Sequence, residues 1–564
     1  MGAGNRRNGQ RVFVLGIDGA SWNVLDVQLA AGRMPALAAF LAGGVRGDLA
    51  SVVPPITPAA WSSFHTGKHP DKHGVLDFRG FDSRRGRLYF NSARQIRGAT
   101  LWQQLSEHGR RVGLVHVPMT YPPPAVNGVV VSGFDTPSLD SAFCHPPELR
   151  GRLLEWFPDY LFAPDRAVED SAAHMAALLA AGRKGLGQRA DLVERLHAGD
   201  RFDVFMVNFQ ELDWLLHKIY LYAVEEDEHL RQSGLMADVR AFFETLDGCL
   251  DRVLRIGRDY DVQMMVSDHG FTRDLGILYP NAVLEARGFL ARRPEGEPEP
   301  HDWPRRLLRA MERSNFRPVR ALAGAVHGWR RPPLGQWVVE QQREVSASDV
   351  EFDLKHTLAA VVASDMYGLL YLNRHPQGPL AGASEEKLAG LRRTIAELFR
   401  NQRNPLDDGC VYRQVLEPPG GAAGEPGGVD LILVPRDGYR VQDGVSSLSR
   451  FTPMVFLVGK ADTAGTHRVD GLLAAAGPTI EPRAALAGCR LVDVAPTLLA
   501  LAGVPIPDDM DGSPIAAITG NRPLVLSRAA CPATAAARAD EADAYTERER
   551  ELIRDRLQAL GYLE

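Results

Sequence analysis

The sequence predicts an α/β protein with a largely parallel central sheet and helices on both of its faces. Three observations lead there. Short apolar runs recur along the chain, at VFVLGI (12–17), VGLVHV (112–117), VFMVNF (204–209), VQMMVS (262–267), LLYLN (369–373), VDLILV (429–434) and LLAAAG (472–477). Runs of this length without polar alternation suit strands buried on both faces. Helical patterns separate many of them, at 34–41, 172–196 and 384–398, and that alternation marks a parallel sheet covered by helices. Finally, two of the runs, at 12–17 and 262–267, end directly in Asp, where parallel sheets gather their ligands.

Taken in order, residues 11–276 read as the first part of a catalytic core and 277–350 as an inserted cap. Residues 351–515 read as the second part of the core, and 516–564 as a tail. The insertion opens with an acidic PEGEPEPHD patch. An amphipathic stretch follows, with eight Arg against one Asp and one Glu over 301–331. It reads either as a solvated helical face or as a cap whose arginines contact an anionic leaving group. Peripheral attachment to anionic lipid is a third use of the same stretch. Residues 417–428 have loop composition. The tail ends in a helix over 546–560, closed by Gly561, that docks on the body or on a second subunit.

Composition narrows the class. The chain has 564 residues, 45% hydrophobic and 24% charged, with a net charge of −6. That is too apolar for a disordered chain, and bulk charge does not favour nucleic acid as a partner. Five scattered cysteines without CxxC spacing suit reduced, mostly buried thiols. No apolar run reaches the length of a membrane span, and the polar N-terminus lacks a secretory h-region, so a cytoplasmic location is expected.

The strand ends carry the chemistry. Asp18 follows the first strand, and Asp268 and His269 follow the run at 262–267. Asp213 and His217 lie one helical turn apart after the run at 204–209, so both face one way. His467 precedes the run at 472. Each residue alone reads equally as a turn residue, a helix cap or a surface pair. Together, three Asp and three His form the oxygen and nitrogen donor set of two zinc-like ions. In ITPAAW (56–61), Pro58 suits the first position of a helix, with Thr57 as its N-cap. A hydroxyl at that end of a helix lies where an alkoxide and a phosphate are favoured.

In this order the residues resemble the alkaline phosphatase superfamily, and within it the type I phosphodiesterase/nucleotide pyrophosphatase family. The matching pieces are GIDGA (16–20), ITPAAWSSFHTGKHPDKHGVLDF (56–78), ELDWLLH (211–217), SDHGF (267–271) and GTHRVDGLLAAAGP (465–478). LVDVAPTLLALAGVP (491–505) followed by DDMDGSPI is similar to the family's C-terminal region.

The resemblance implies two divalent metal ions, zinc above all, with manganese or iron as alternatives. Asp18, Asp268 and His269 would hold one beside the nucleophile Thr57; Asp213, His217 and His467 would hold the other. It also implies cleavage of phosphodiester or pyrophosphate bonds in a small phosphate ester or nucleotide-like substrate, through a phospho-threonine intermediate. A phosphomonoesterase or phosphonate hydrolase fits the same scaffold, and a non-catalytic binding protein is the remaining alternative. The nucleotide pyrophosphatases carry a phosphoryl-binding asparagine where this chain has Phe78, so another donor must serve; Arg79, Asn91 and Asn208 are the polar candidates. His73 and Asp77 also fall on family positions, where local hydrogen bonding would shape the loop. Sulfatases are disfavoured because none of the five cysteines lies in a CxPxR-like context. The sequence leaves the oligomeric state open.

Overall fold

The run Val12–Ile17 becomes the middle strand of a sheet that has nine strands among the described residues. The computed structural model describes residues 9–164, 172–225, 234–292, 352–363, 366–404, 408–418, 428–443, 464–482, 486–520, 522–528, 545–560 and 562. Val204–Phe209 and Val262–Val266 flank the middle strand, both parallel to it. Val112–Val117 and Gly128–Ser132 continue the parallel order on one side. On the other, Asp470–Ala476 runs antiparallel between Val262–Val266 and Gly44–Ala50. The short strands Cys489–Arg490 and Cys144–His145 form the two edges.

Every residue of Val12–Ile17, Val112–Val117 and Val204–Phe209 is buried. The strand period of two sends alternate side chains into two separate cores. Phe13, Leu15, Phe205 and Val207 join the core built with the helices Ala172–Gly199, Glu211–Val224 and Met236–Gly257. Val12, Val14, Val204 and Met206 join the core built with Thr57–Thr66, Leu101–Glu107 and Val494–Ala502. Full burial of each such side chain stabilises the fold by about 1.5–3 kcal/mol, which fixes the strand ends that carry the polar residues.

Two expected strands lie elsewhere. The runs at 369–373 and 429–434 do not join the central sheet. Gly368–Leu372 and Leu431–Pro435 pair antiparallel in a separate four-stranded sheet with Ala359–Val362 and Tyr412–Leu416, beside helix Glu385–Arg400. For Gly368–Leu372 part of the reason is local: only five residues separate it from Val362, too few for the crossover of a dozen residues or more that a parallel return needs, so those two strands pair antiparallel. The run at 472–477 does enter the central sheet, but antiparallel.

Residues 276–292 attach to this second layer. Gly276–Leu278 pairs with Tyr439–Val441, and the Asn281 amide donates to the Val361 carbonyl (2.8 Å) and the Asp443 carbonyl (2.7 Å). The remainder of the expected cap, including the arginine-rich stretch 301–331, lies outside the described residues, as do most of the loop at 417–428, Cys531 and Gly561. The tail helix forms over Glu547–Leu560 and docks on the body of its own chain, with Ile553, Leu557 and Leu560 buried. Cys144, Cys249 and Cys489 are buried free thiols, and Cys410 is an exposed one. Among the described residues no single helix is long and apolar enough to cross a membrane.

Candidate metal centre and active site

Three neighbouring parallel strands end at one place. Asp18 follows Val12–Ile17, Asp268 and His269 follow Val262–Val266, and Val204–Phe209 leads into the helix bearing Asp213 and His217. The fourth contribution is a short strand, Gly465–Arg468, which pairs antiparallel with Gly270–Arg273 and sets His467 opposite Phe271. Close approach here requires glycine. Gly19 has φ of 69°, and a Cβ there would lie 2.6 Å from the Phe271 ring and 3.2 Å from Asp213 Oδ1.

The sequence-predicted donors converge. His269 Nε2 lies 3.2 Å from Asp268 Oδ2 and 3.8 Å from Asp18 Oδ1. His467 Nε2 lies 3.2 Å from Asp213 Oδ1 and 3.0 Å from His217 Nε2, and His217 Nε2 lies 3.9 Å from Asp213 Oδ1. His269 also approaches Asp213 Oδ1 at 3.8 Å, so the two groups adjoin. Donors on one tetrahedral zinc ion sit about 3.3 Å apart; the contacts of 3.0–3.2 Å match that spacing, and those of 3.8–3.9 Å are wider. The Nδ1–H of His467 donates to the Pro55 carbonyl at 2.9 Å, leaving Nε2 as the nitrogen with a free lone pair.

Thr57 differs from expectation in one respect. The helix begins at Thr57 itself, with Ile56 as its N-cap, and the threonine hydroxyl makes no capping bond. It faces the cluster instead, with Oγ1 3.5 Å from His269 Nε2. Capping would turn the hydroxyl toward the backbone and away from the cluster.

The electrostatics are those of a cation site. Asp18, Asp268 and His269 are fully buried, as is Asp213. Asp18 Oδ1, Asp213 Oδ1 and Asp268 Oδ2 accept no hydrogen bond among the described residues. Burial raises all three carboxyls well above the usual range, and the charge of Asp213 adds to it at Asp18, as those of Asp18 and Asp213 do at Asp268. Burial likewise drives the imidazoles down, His467 to about 3 and His217 and His269 well below their ordinary value. Neutral imidazoles and unpaired carboxylate oxygens aimed at each other are costly until positive charge enters. The donor set therefore fits two divalent cations.

The weaker candidates separate. Phe78 and Asn91 line a pocket beside Thr57, and the Asn91 amide donates to the Asp77 carbonyl at 2.7 Å. Asn208 is buried beside Gly16 and Asp18, where it favours the Asp18 carboxylate. Arg79 points elsewhere: its guanidinium bonds the Ala363 carbonyl and Asp443 (2.9 Å), in the second layer. His73 and Asp77 have the loop-shaping role, His73 through Ser63 Oγ at 2.8 Å and Asp77 through the Phe78 amide at 2.5 Å.

Sequence reasoning missed three contributors. Trp61, which by sequence reads as a wall of the substrate space or as core, donates its indole N–H to Asp18 Oδ2 at 2.7 Å. Tyr562 reaches the cluster from the far end of the chain, donating its hydroxyl to Asp213 Oδ2. Asp135 lines the pocket with Tyr545 and Arg556.

Asp135 gives a pH prediction. Burial pushes its carboxyl up to about 7 from an unfolded value near 3.8, against the pull of the Tyr121 amide. The folded state thus holds the proton more tightly. The contribution of Asp135 to stability is expected to fall as pH rises from about 4 to about 7, and to stay lower above that. Asp135→Asn should match wild type in melting temperature at pH 4 and exceed it at pH 8. Equal melting temperatures at both would contradict a buried, neutral Asp135.

The chain is similar to known proteins in sequence and in fold. Residues 12–363 match the profile of the type I phosphodiesterase/nucleotide pyrophosphatase family. Phosphonoacetate hydrolase from Sinorhizobium meliloti 1021, solved with phosphonoformate and with phosphonoacetate, shares the fold. In both complexes the identity is 16% and the TM-score 0.50, over 88% of this chain and 98% of that one. Murine ectonucleotide pyrophosphatase/phosphodiesterase 5, as an inactive variant with AMP, aligns at 12% identity and a TM-score of 0.46, over 88% and 95% of the two chains. No curated protein sequence matches.

Proposed function

Since the chain belongs to the type I phosphodiesterase/nucleotide pyrophosphatase family and is a hydrolase of that kind, we propose that it cleaves phosphodiester or pyrophosphate bonds with Thr57 as nucleophile. Asp18, Asp268 and His269 would hold one divalent cation and Asp213, His217 and His467 the other. Bound there, the two cations supply the charge that favours a threonine alkoxide and screens the phosphoryl oxygens. Thr57 Oγ1 forms a bond to phosphorus as the bond to the leaving oxygen breaks, and the hydroxyl proton passes to solvent or to the leaving group. Water then attacks the phospho-threonine and releases Thr57. The buried carboxylates and imidazoles would hold the cations beside Thr57.

The observation that favours a diester is the wall beside Thr57. Phe78, Phe90, Met119, Phe134, Ile553 and Leu557 line it. Its arginine, Arg556, is engaged by the carbonyls of Phe134 (2.8 Å), Thr136 and Pro137 (3.1 Å). An apolar wall suits the second substituent of a diester, although the space of about 20 Å³ there admits one only if the wall opens; the extra charge of a monoester asks for a cation. Protein reconstituted with zinc or manganese is expected to hydrolyse bis(p-nitrophenyl) phosphate with higher kcat/KM than p-nitrophenyl phosphate. Preference for the monoester would replace this reading with a phosphatase, and a phosphonate cleaved in preference to both would replace it with a phosphonate hydrolase.

A further inference from the structure

Each buried carboxylate of the cluster is gripped at one oxygen and free at the other. The Trp61 indole holds Asp18 Oδ2 at 2.7 Å, and the Gly19 amide holds Asp268 Oδ1 at 3.2 Å. Tyr562 holds Asp213 Oδ2 through its hydroxyl, across a sequence separation of 349. The opposite oxygens, Asp18 Oδ1, Asp268 Oδ2 and Asp213 Oδ1, are the ones without hydrogen-bond partners that face the imidazoles.

The tyrosine is held in place. It is fully buried, its ring lies 4.8 Å from that of Phe78, and it meets the edge of His217 at 5.2 Å. Its amide donates to the Leu557 carbonyl at 2.8 Å, which ties it to the tail helix. That helix is anchored by Arg556 on three carbonyls. Just before it, the Tyr545 hydroxyl donates to the Asp135 carbonyl at 3.1 Å and its ring stacks on Tyr121.

We propose that Tyr562 is a positioning residue for Asp213. By fixing Oδ2 it turns Oδ1 toward His217 and His467, so the C-terminal segment completes one of the two cation sites. The inference rests on the reading of the cluster as a two-metal centre. Partners of this kind outside the ligand set commonly change metal affinity by about 10–100-fold.

The test is a zinc titration of the full chain against a chromophoric chelator, for wild type, Tyr562→Phe and Tyr545→Phe. Metal-free melting temperatures and kcat are measured in parallel. Wild type should hold two zinc ions. Tyr562→Phe should bind one of them about 10–100-fold more weakly, with the other unchanged, a metal-free melting temperature near wild type and a lower kcat. Tyr545→Phe removes a tail anchor without touching Asp213, and should leave both affinities in place. Wild-type affinities in Tyr562→Phe overturn the inference. So does equal weakening in Tyr545→Phe, which would assign the effect to tail docking. Faster turnover in Tyr562→Phe with unchanged metal would make the tyrosine a plug and also overturn it. A wild-type chain that binds no zinc overturns the two-metal reading itself, and this inference with it.

Discussion

Thr57→Ala should lower kcat for a diester by about 10⁴-fold or more, the scale seen when a covalent nucleophile is removed, while both metal ions stay bound. The threonine hydroxyl makes one side-chain contact at the cluster, to His269 at 3.5 Å, and none with the helix backbone. Its loss should therefore cost less than about 1 kcal/mol of stability. That separation is the point of the experiment. A variant that is folded and metal-loaded but inactive assigns bond formation to the hydroxyl. Thr57→Ser keeps the oxygen in place and should retain a large share of the activity. Full activity in Thr57→Ala would end the covalent route and leave direct attack by water.

Asp268→Asn should change stability in opposite directions with and without metal. Asp268 is fully buried, and burial together with the charges of Asp18 and Asp213 raises its carboxyl well above the normal range. Folding the metal-free protein at neutral pH therefore works against this group. Its contribution is least unfavourable at low pH and worsens as pH rises through the folded pKa. Removing the charge should raise the metal-free melting temperature at pH 7.5. In the presence of zinc the order should reverse, because a ligand at 100 times its Kd stabilises wild type by about 2.7 kcal/mol and the variant loses much of that. Turnover should fall by at least about 100-fold, more than loss of a partner outside the ligand set brings. Differential scanning fluorimetry with and without chelator reads the crossing. A variant destabilised in both states would mean that Asp268 is a structural hydrogen-bonding group.

Part of the fold and of the site is legible in the sequence. The core strands were legible because burial on both faces leaves a run with no polar interruption, as in Val12–Ile17. A polar residue directly after such a run, as at Asp18 or Asp268, then stands out. The i,i+4 pair Asp213 and His217 was legible because helical geometry alone puts both on one side. Sheet membership was not. Leu369–Leu372 and Leu431–Val434 look the same whether they enter the central sheet or pair with each other, since a buried strand's neighbours are chosen by distant chain. The helix start beside Pro58 is legible, but a one-residue shift of that start decides whether the Thr57 hydroxyl caps the helix or faces the cluster. Tyr562 carried no signal. A single tyrosine near a chain end has no spacing to its partner, and only the docking of the tail helix brings it to Asp213.

The most direct test of the central claim is anomalous diffraction at the zinc edge from crystals of the zinc-reconstituted protein. The account predicts two peaks, one bounded by Asp18, Asp268 and His269 with Thr57 beside it, the other bounded by Asp213, His217 and His467. No peak among these residues in protein that turns over substrate, or a peak elsewhere on the chain alone, would contradict it.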